Sequence, residues 1–156
     1  MNIVTDMANK GDIPAIMSLL KQVHKVHADG RPDLFPGESK YTANDVKEIL
    51  TNPLFPVLVA REEGKTVGYA FCKLSSPDFA PQVLKRNSLY IDDLCVDESM
   101  RGKGVGRILY NAALAFARAH DCYNVTLNVW ELNTSAKVFY QKMGLVPLRT
   151  TMEKIL

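Results

Sequence analysis

Apolar residues recur along the first third of the chain with a spacing of three or four positions. From residue 13 to about residue 26 this spacing predicts a helix with one buried face. Pro14 lies in its first turn, where a proline is tolerated because the backbone amide there has no intrahelical acceptor. A second helix is predicted from Thr42 to about Leu50, with Thr42 as its N-cap. These two helices flank a loop over residues 27–37 that contains two prolines and two glycines.

Short apolar or alternating runs predict four strands in the first two thirds of the chain. They cover residues 2–6, 56–61, 66–74 and a stretch that begins at Ser88. A Gly-containing turn joins the second to the third, which indicates a hairpin. A loop over residues 75–87, with two prolines, precedes Ser88. Since no helix separates the last three of these strands, they indicate an antiparallel meander.

The last third alternates between helix and strand. The predicted elements are, in order, a helix from Val105 through Phe116, a strand over residues 125–130, a helix from Asn133 to Gly144 and a strand over residues 149–155. The strand at Ser88, the helix after it and the next strand form a β-α-β unit. The two strands of such a unit are expected to be parallel, with a right-handed crossover.

Composition and charge indicate an ordinary globular domain. A length of 156 residues is typical of one domain, so residues 1–156 are predicted to form a single domain. The net charge of +2 is too small to indicate nucleic acid or an anionic membrane as a partner. No apolar run approaches the roughly 20 residues of a membrane span, and no secretory leader is visible. Three widely spaced cysteines, of which Cys72 and Cys95 are expected to be buried, favour a reducing cytoplasm.

Three glycines at alternating positions separate the Ser88 strand from the following helix. The stretch reads Arg101-Gly102-Lys103-Gly104-Val105-Gly106-Arg107. Each glycine costs about 1 kcal/mol relative to alanine inside a helix, so three together indicate a backbone that a ligand approaches closely. The first amides of a helix have no intrahelical partner and attract anions. We interpret the stretch as a pyrophosphate-binding turn; a flexible surface loop before an ordinary helix is the alternative.

The spacing of these residues excludes two common phosphate loops. Arg107 stands where the third glycine of the dinucleotide fingerprint belongs, and no Gly-Lys-Ser/Thr closes an earlier glycine run. What remains is Arg-x-x-Gly-x-Gly, formed by Arg101, Gly104 and Gly106. This hexapeptide resembles the coenzyme A signature of the GCN5-related N-acetyltransferase (GNAT) superfamily.

A second block is similar to the last conserved block of the same family. It reads Trp130-x-x-Asn133-x-x-Ala136-x-x-Phe139-Tyr140-x-x-x-Gly144. Two blocks in the correct order are much harder to reach by chance than either alone. The resemblance covers residues 90–144, whereas the N-terminal third matches only in its order of elements.

The resemblance implies a fold and a cofactor. The fold is the GNAT fold of the α/β (α+β) class: a central mixed, mostly antiparallel twisted sheet of six to seven strands, with helices on both faces and a splayed pair of parallel strands. The opening between the splayed strands would take the pantetheine arm of acetyl-CoA, and the glycine turn would take its pyrophosphate. The implied cofactor-binding residues are Leu94, Cys95, Val96, Arg101, Gly102, Lys103, Gly104, Val105, Gly106, Arg107, Asn133, Ala136 and Tyr140. No metal is implied.

The same resemblance implies transfer of an acetyl group from acetyl-CoA to a primary amine. Tyr140 is expected to protonate the departing thiolate, because a phenol is neutral at pH 7. Asp92 or Asp93 is expected to accept the proton of the amine, and Asp92 is preferred because similar diamine-type acetyltransferases carry an acid there. Since adjacent strand residues face opposite sides, we expect only one of the two to face a given pocket. A core tyrosine and ion-paired carboxylates are the structural alternatives.

The acceptor is expected to be a small cationic amine, such as a polyamine or an aminoglycoside. In this family the segment between the first two helices borders the acceptor pocket, although a solvated connector is the alternative. The expected acceptor-binding residues are His27, Arg31, Asp33, Phe35, Asp92 and Trp130. A protein N-terminus or lysine as acceptor, and a coenzyme A-binding module without turnover, remain alternatives. Homodimers are common in the family, and no nucleic acid or membrane partner is expected.

Overall fold

Five strands form one sheet whose order follows the sequence. The protein is described by a computed structural model over residues 1–37, 39–76 and 81–156. The strands are β1 (Ile3–Met7), β2 (Val57–Glu62), β3 (Lys65–Ser75), β4 (Ser88–Val96) and β5 (Asn124–Leu127). Strands β1 to β4 pair antiparallel, and β5 pairs parallel with β4. The predicted meander and the parallel pair of the β-α-β unit are therefore confirmed.

In the described ranges, four α-helices accompany the sheet. They are α1 (Ile13–Gly30), α2 (Ala43–Ile49), α3 (Val105–Ala119) and α4 (Thr134–Lys142). Thr42 and Asp45 form a capping box at the start of α2, as its sequence predicts. The predicted end of α1 at about residue 26 is wrong. No glycine or proline occurs between Pro14 and Gly30. The helix stops at Gly30 because Pro32 disfavours helical geometry in Arg31, the residue before it.

The helices cover both faces of the sheet, as expected. Side chains alternate along β2, so Val57 and Val59 pack with α1 and α2, whereas Leu58 and Ala60 pack with α3. None of the helices in the described ranges combines the length and apolar character that a membrane crossing requires.

Strand β4 changes its alternation at Asp92. Ile91 lies opposite Cys72 and Asp93 lies opposite Phe71, so Asp92 is an extra residue without a partner on β3. Before this β-bulge Ile91 faces α3, and after it Cys95 faces α1. The bulge therefore sets the direction of the carboxylates on β4.

The sheet has five strands instead of the six to seven that the resemblance implied. Strand β5 ends at Leu127, so residues 128–130, predicted as its continuation, lie outside the sheet. Residues 149–155, predicted as a strand, have no regular secondary structure. A strand forms only beside another strand, and the sheet of the described chain places none next to this segment. Residues 77–80 of the predicted loop lie outside the described residues.

Candidate active site

Strands β4 and β5 pair over only part of their length. The parallel register joins residues 88–91 to residues 124–127 and stops there. Strand β4 continues to Val96 and keeps β3 on one side, but its other edge from residue 92 to residue 96 faces no strand in the described part of the chain. We call this open edge the wedge. Its backbone groups can hydrogen-bond an extended ligand much as a neighbouring strand would.

The glycine turn follows directly after the wedge. Gly102 has φ of +76° and Gly104 has φ of +85°, in the left-handed region that glycine adopts easily. A Cβ at either position would meet nothing within 4 Å, so these glycines serve the backbone path rather than packing. Gly104 is also the N-cap of α3, and Lys103 and Arg107 are exposed beside it. The turn thus carries exposed cationic residues beside the first amides of α3.

Arg101 closes the end of the wedge. Its Nε donates a hydrogen bond of 3.1 Å to the carbonyl oxygen of Val96. Cys95 points away from the wedge, with its Sγ 3.5 Å from the carbonyl oxygen of Leu19 in α1. The side chains of Leu94 and Val96 therefore lie on the opposite face of the sheet, towards α3. Val105 is buried beneath the turn.

Helix α4 lies next to the start of α3. Asn133 is its N-cap, and the Oδ1 of Asn133 accepts a hydrogen bond of 3.2 Å from the amide of Ala136. A Cβ added to Gly106 would lie 3.4 Å from the ring of Phe139, so the absence of a side chain lets the two helices approach. Tyr140 follows Phe139. Burial, and secondly the charge of Asp93, raise the pKa of Tyr140, so its hydroxyl remains protonated at neutral pH.

Both carboxylates of β4 bind tyrosines of the core beneath α1 and α2. Asp92 accepts a hydrogen bond of 2.6 Å from the hydroxyl of Tyr41, and its Oδ1 lies 2.9 Å from the Nζ of Lys40. Asp93 accepts a hydrogen bond of 2.7 Å from the hydroxyl of Tyr69. Both side chains lie on the same side of the sheet, because the bulge breaks the alternation on which the expectation rested, yet only Asp92 lines the cleft described below.

Asp93 has an unusual acidity. Its desolvation by burial raises its pKa to about 6, although the hydrogen bond from Tyr69 acts in the opposite direction. A carboxyl group with a pKa near neutrality can take up and release a proton under ordinary conditions. A pKa near 6 suits a general base better than the usual carboxyl pKa near 4.

A cleft of about 300 Å³ opens beside Asp92, between α2 and the sheet. Its polar and aromatic lining consists of Tyr41, Phe55, Phe71, Lys73, Tyr90 and Asp92. Aromatic faces attract cations, and the carboxylate adds a negative charge. The ammonium group of Lys40 makes both contacts, because it lies 5.5 Å from the centre of the Tyr41 ring and is paired with Asp92.

Sequence reasoning missed Lys40, Tyr41 and Tyr90. Tyr41 directly precedes the N-cap of α2, and Val46 stands at the fourth helical position. This spacing is typical of a hydrophobic staple, and both residues pack in the same cluster. The sequence pattern at Tyr41 therefore indicates a packing role and does not indicate that its hydroxyl binds Asp92.

Three of the predicted acceptor-binding residues form an aromatic cluster. The ring of His27 stacks on Phe35 at 5.0 Å, and Phe35 meets the edge of Trp130 at 5.1 Å. Burial, followed by the charges of His24 and Lys40, lowers the pKa of His27. The cluster therefore lies within electrostatic reach of the lysine that pairs with Asp92.

The other two loop residues bind each other. The Nη2 of Arg31 lies 2.8 Å from the Oδ2 of Asp33, and this contact lowers the pKa of Asp33. Arg31 also pairs with Glu153, near the end of the chain. The side chain of Arg31 thus joins Asp33 to the C-terminal segment, while its backbone is hydrogen-bonded to His27 and Phe35 of the aromatic cluster.

Comparison with known proteins agrees with the family resemblance of the two sequence blocks. The model of the acetyltransferase (GNAT) family matches residues 20–145. The BH1408 protein of Bacillus halodurans, solved as a tetramutant, superposes with a TM-score of 0.92 at 30% identity, over 98% of this chain and 99% of that one. The aminoglycoside N-acetyltransferase AAC(6')-Iy, solved in complex with CoA, superposes with a TM-score of 0.77 at 17% identity, over 99% and 95%.

A curated relative extends the comparison to a named acceptor. The spermine/spermidine N(1)-acetyltransferase of Bacillus subtilis is 30% identical over 83 residues, which are 53% of each chain. Matches to the curated relatives span from 34% to 53% of those proteins' length.

Proposed function

The chain belongs to the acetyltransferase (GNAT) family, and we propose that it transfers an acetyl group from acetyl-CoA to the primary amine of a small cationic acceptor. One observation carries this proposal. The wedge on β4 leads straight into the glycine turn, and two carboxylates stand at the beginning of the wedge. Strand β4 thereby brings together the proposed binding site of the acetyl donor, a carboxylate that can take up a proton and the cleft proposed for the amine.

Acetyl-CoA is the acyl donor of this family, and the residues present fit it. Backbone groups of residues 92–96 can pair with the amides of the pantetheine arm. The pyrophosphate can rest on the amides of the glycine turn, since Gly102 and Gly104 hold a path that other residues adopt only with strain. Arg101, Lys103 and Arg107 add positive charge around it, and Asn133 and Ala136 border the arm from α4.

The chemistry requires two proton transfers. An alkylammonium has a pKa of about 10, so the acceptor must first lose a proton, which Asp93 or Asp92 takes directly or through water. The amine nitrogen then attacks the thioester carbonyl carbon. The new C–N bond forms and the C–S bond breaks. The hydroxyl of Tyr140 protonates the departing thiolate, and the second proton that leaves the nitrogen restores this hydroxyl, so the products are the N-acetylated amine and coenzyme A.

These steps differ in what they contribute. General acid–base help of this kind accelerates a reaction by about 10²- to 10⁴-fold. Holding amine and thioester together contributes more, about 7–11 kcal/mol of the barrier. Loss of the cofactor site should therefore harm turnover more than loss of either carboxylate.

The cleft beside Asp92 supports a cationic acceptor. Its aromatic walls and its carboxylate suit an alkylammonium chain, and the ammonium of Lys40 shows that such a group fits at Asp92. The name of the Bacillus subtilis relative points to the same class, the polyamines. A lysine side chain of a protein is the second candidate, because Lys40 itself is a lysine in contact with Asp92.

A panel of amines tests the proposal. The protein is incubated with acetyl-CoA and, in turn, spermidine, an aminoglycoside and a lysine-containing peptide, while a thiol reagent reports released coenzyme A. We expect spermidine to give the fastest release. Asp92→Asn should raise the KM for spermidine, whereas Asp6→Asn, an exposed carboxylate on β1, should not.

Two results would redirect the proposal. Release with the peptide alone would favour a protein acceptor. Tight coenzyme A binding without release for any amine would favour a binding module that does not turn over.

We also propose a cytoplasmic location. Cys72, Cys95 and Cys122 are all free thiols. Burial raises the pKa of Cys72 and of Cys95 to about 12, so neither is reactive at neutral pH. Free thiols are typical of a reducing compartment.

A further inference from the structure

Lys40 brings a primary amine of the chain itself to Asp92, one of the two candidate general bases. The Nζ of Lys40 lies 2.9 Å from the Oδ1 of Asp92. The other oxygen, Oδ2, accepts the hydrogen bond of 2.6 Å from the hydroxyl of Tyr41. The partner of Oδ1 is therefore an ammonium group of the kind that the proposed acceptor carries.

The neighbours of Lys40 in sequence fix its position. Tyr41 packs with the core beneath α2, and its ring lies 5.3 Å from that of Phe71. Thr42 is the N-cap of α2 and forms the capping box with Asp45. Because packing and capping hold residues 41 and 42, they also fix where the backbone of Lys40 lies. Its side chain then reaches Asp92 across the Tyr41 ring, 5.5 Å from the ring centre.

The ion pair of Lys40 and Asp92 is open to water. The side chain of Lys40 is 47% exposed and that of Asp92 is 24% exposed. An ion pair between side chains that water reaches contributes little to stability. The fold therefore does not require a lysine at this position, and the amine of Lys40 remains accessible.

The wedge leads the proposed acetyl donor to the same carboxylate. With the pyrophosphate on the glycine turn and the pantetheine arm along residues 92–96, the acetyl end of the arm lies at residue 92. Asp92 is the bulge residue at which the wedge begins. The amine of Lys40 and the acetyl group then meet at Asp92. This step rests on the proposed function, because it uses acetyl-CoA bound at the wedge.

We propose that Lys40 is a site of self-acetylation, at which the chain transfers the acetyl group of its own acetyl-CoA to the Nζ of Lys40. Asp92 takes one proton from the ammonium group and later releases it to solvent, and the neutral nitrogen attacks the thioester carbonyl carbon. The C–N bond forms and the C–S bond breaks. Tyr140 protonates the departing thiolate, and the second proton that leaves the nitrogen restores its hydroxyl. The products are an acetylated Lys40 and coenzyme A.

Acetylation changes the charge beside the cleft. An acetylated lysine carries no positive charge, so it cannot form an ion pair with Asp92. A cationic acceptor that enters the cleft of about 300 Å³ lined by Asp92 then no longer has to displace the lysine. The KM for such an acceptor should fall by up to about fivefold after acetylation, the factor that the loss of an exposed competing ion pair gives.

Peptide mapping by mass spectrometry tests the proposal. The full chain is incubated with acetyl-CoA without added amine, and acetylation of each lysine is followed with time. We expect one acetyl group, at Lys40, at a rate that does not depend on protein concentration, because the transfer occurs within one chain. Two lysines serve as internal controls. Lys73 lines the same cleft, 5.7 Å from the centre of the Phe55 ring, and Lys47 is exposed on α2.

A variant separates self-acetylation from chemical acetylation. Asp92→Asn removes the base and should slow acetylation of Lys40 by about 100-fold or more. Asp6→Asn, an exposed carboxylate on β1, should keep the wild-type rate. In a mixture of wild type with isotope-labelled Asp92→Asn, Lys40 of the labelled chain should stay unmodified. Acetylation of the labelled chain by its neighbour would overturn transfer within one chain.

The possible outcomes distinguish self-acetylation from the proposed function. If the wild type acetylates spermidine but leaves Lys40 unmodified, self-acetylation is overturned and the proposed function remains. Acetylation of Lys40 without turnover of any added amine would support self-acetylation and contradict a small-amine acceptor. Equal acetylation of Lys40, Lys47 and Lys73 in wild type and Asp92→Asn is chemical and overturns self-acetylation. No acetylation of Lys40 or of any amine overturns both.

Discussion

The two parts of this chain differ in what holds them in place. Residues 1–117, which include strands β1 to β4, helices α1 and α2 and most of α3, contain every buried side chain found in the described residues, including Leu20, Tyr69 and Leu109. Residues 118–156, which include β5, α4 and the C-terminal segment, contain none. The first part is stabilised by its own core. The second packs partly buried side chains such as Phe139 and Met143 against that core and contributes Asn133 and Tyr140 to the candidate active site, whereas the wedge, the glycine turn and both carboxylates lie in the first part.

The largest expected effect separates catalysis from stability. Tyr140→Phe removes one hydroxyl from α4 and should lower turnover by about 10²- to 10⁴-fold, because the departing thiolate loses its proton donor. The free energy of unfolding and the affinity for coenzyme A should change little. Stopped-flow or steady-state thiol release and urea denaturation measure the two quantities.

The control for Tyr140 is another tyrosine in the same part of the chain. Tyr123 is 67% exposed, and Tyr123→Phe should leave turnover unchanged. Unaltered turnover in Tyr140→Phe would exclude this residue as the acid.

The second test compares how much each part of the chain contributes to the free energy of unfolding. Leu109→Ala empties a fully buried position under the sheet and should lower the free energy of unfolding by about 2–5 kcal/mol. Leu148→Ala makes the same chemical change in the C-terminal segment, where the side chain is 67% exposed, and should cost less than about 0.5 kcal/mol. Equal losses in urea denaturation would contradict the division into two parts.

A third test compares two glycines with the same backbone conformation. Gly104 has φ of +85° in the glycine turn, and Gly64 has φ of +79° in the β2–β3 hairpin. Neither would place a Cβ near another atom, so alanine at either position should cost about 1–2 kcal/mol of backbone strain alone.

Only one of these glycines lies at the proposed pyrophosphate site. Gly104→Ala should weaken coenzyme A binding by about tenfold in calorimetry, whereas Gly64→Ala should leave it unchanged. Similar affinities for both variants would argue against a pyrophosphate on this turn.

The smallest expected effect concerns pH. Burial raises the pKa of Asp93 from 3.8 to about 6, so between these values the folded chain keeps a proton that the unfolded chain has released. The free energy of unfolding should therefore fall as pH rises from about 4 to about 6. Asp93→Asn should remove this fall.

Asp33 provides the control with the opposite sign. The hydrogen bond from Arg31 lowers the pKa of Asp33, so its stabilisation is present above the pKa of the unfolded state and is lost as pH falls. Asp33→Asn should leave the fall between about pH 4 and about pH 6 in place. Its loss in that variant would show that Asp93 is not its source.

Elements with strong local signals could be predicted from the sequence. The hairpin of β2 and β3, the capping box of α2 and the amphipathic α3 all carry their determinants within a few residues. The coenzyme A signature and its second block identified the family for the same reason, since both are contiguous in sequence.

Features that depend on distant residues could not be predicted. The bulge at Asp92 arises from the register between β4 and β3, which has no local signal at Asp92. It turns two adjacent carboxylates to one side against the expected alternation. Residues 149–155 illustrate the same limit, because they are predicted as a strand, but a strand requires a neighbour that the sheet of the described chain does not place beside them.

Hydrogen exchange with and without coenzyme A tests the central claim most directly. The account predicts that saturating coenzyme A slows exchange at backbone amides of residues 94–96 and 103–106, while amides in the core of α1 keep their rates. Unchanged rates at both the wedge and the glycine turn would contradict it.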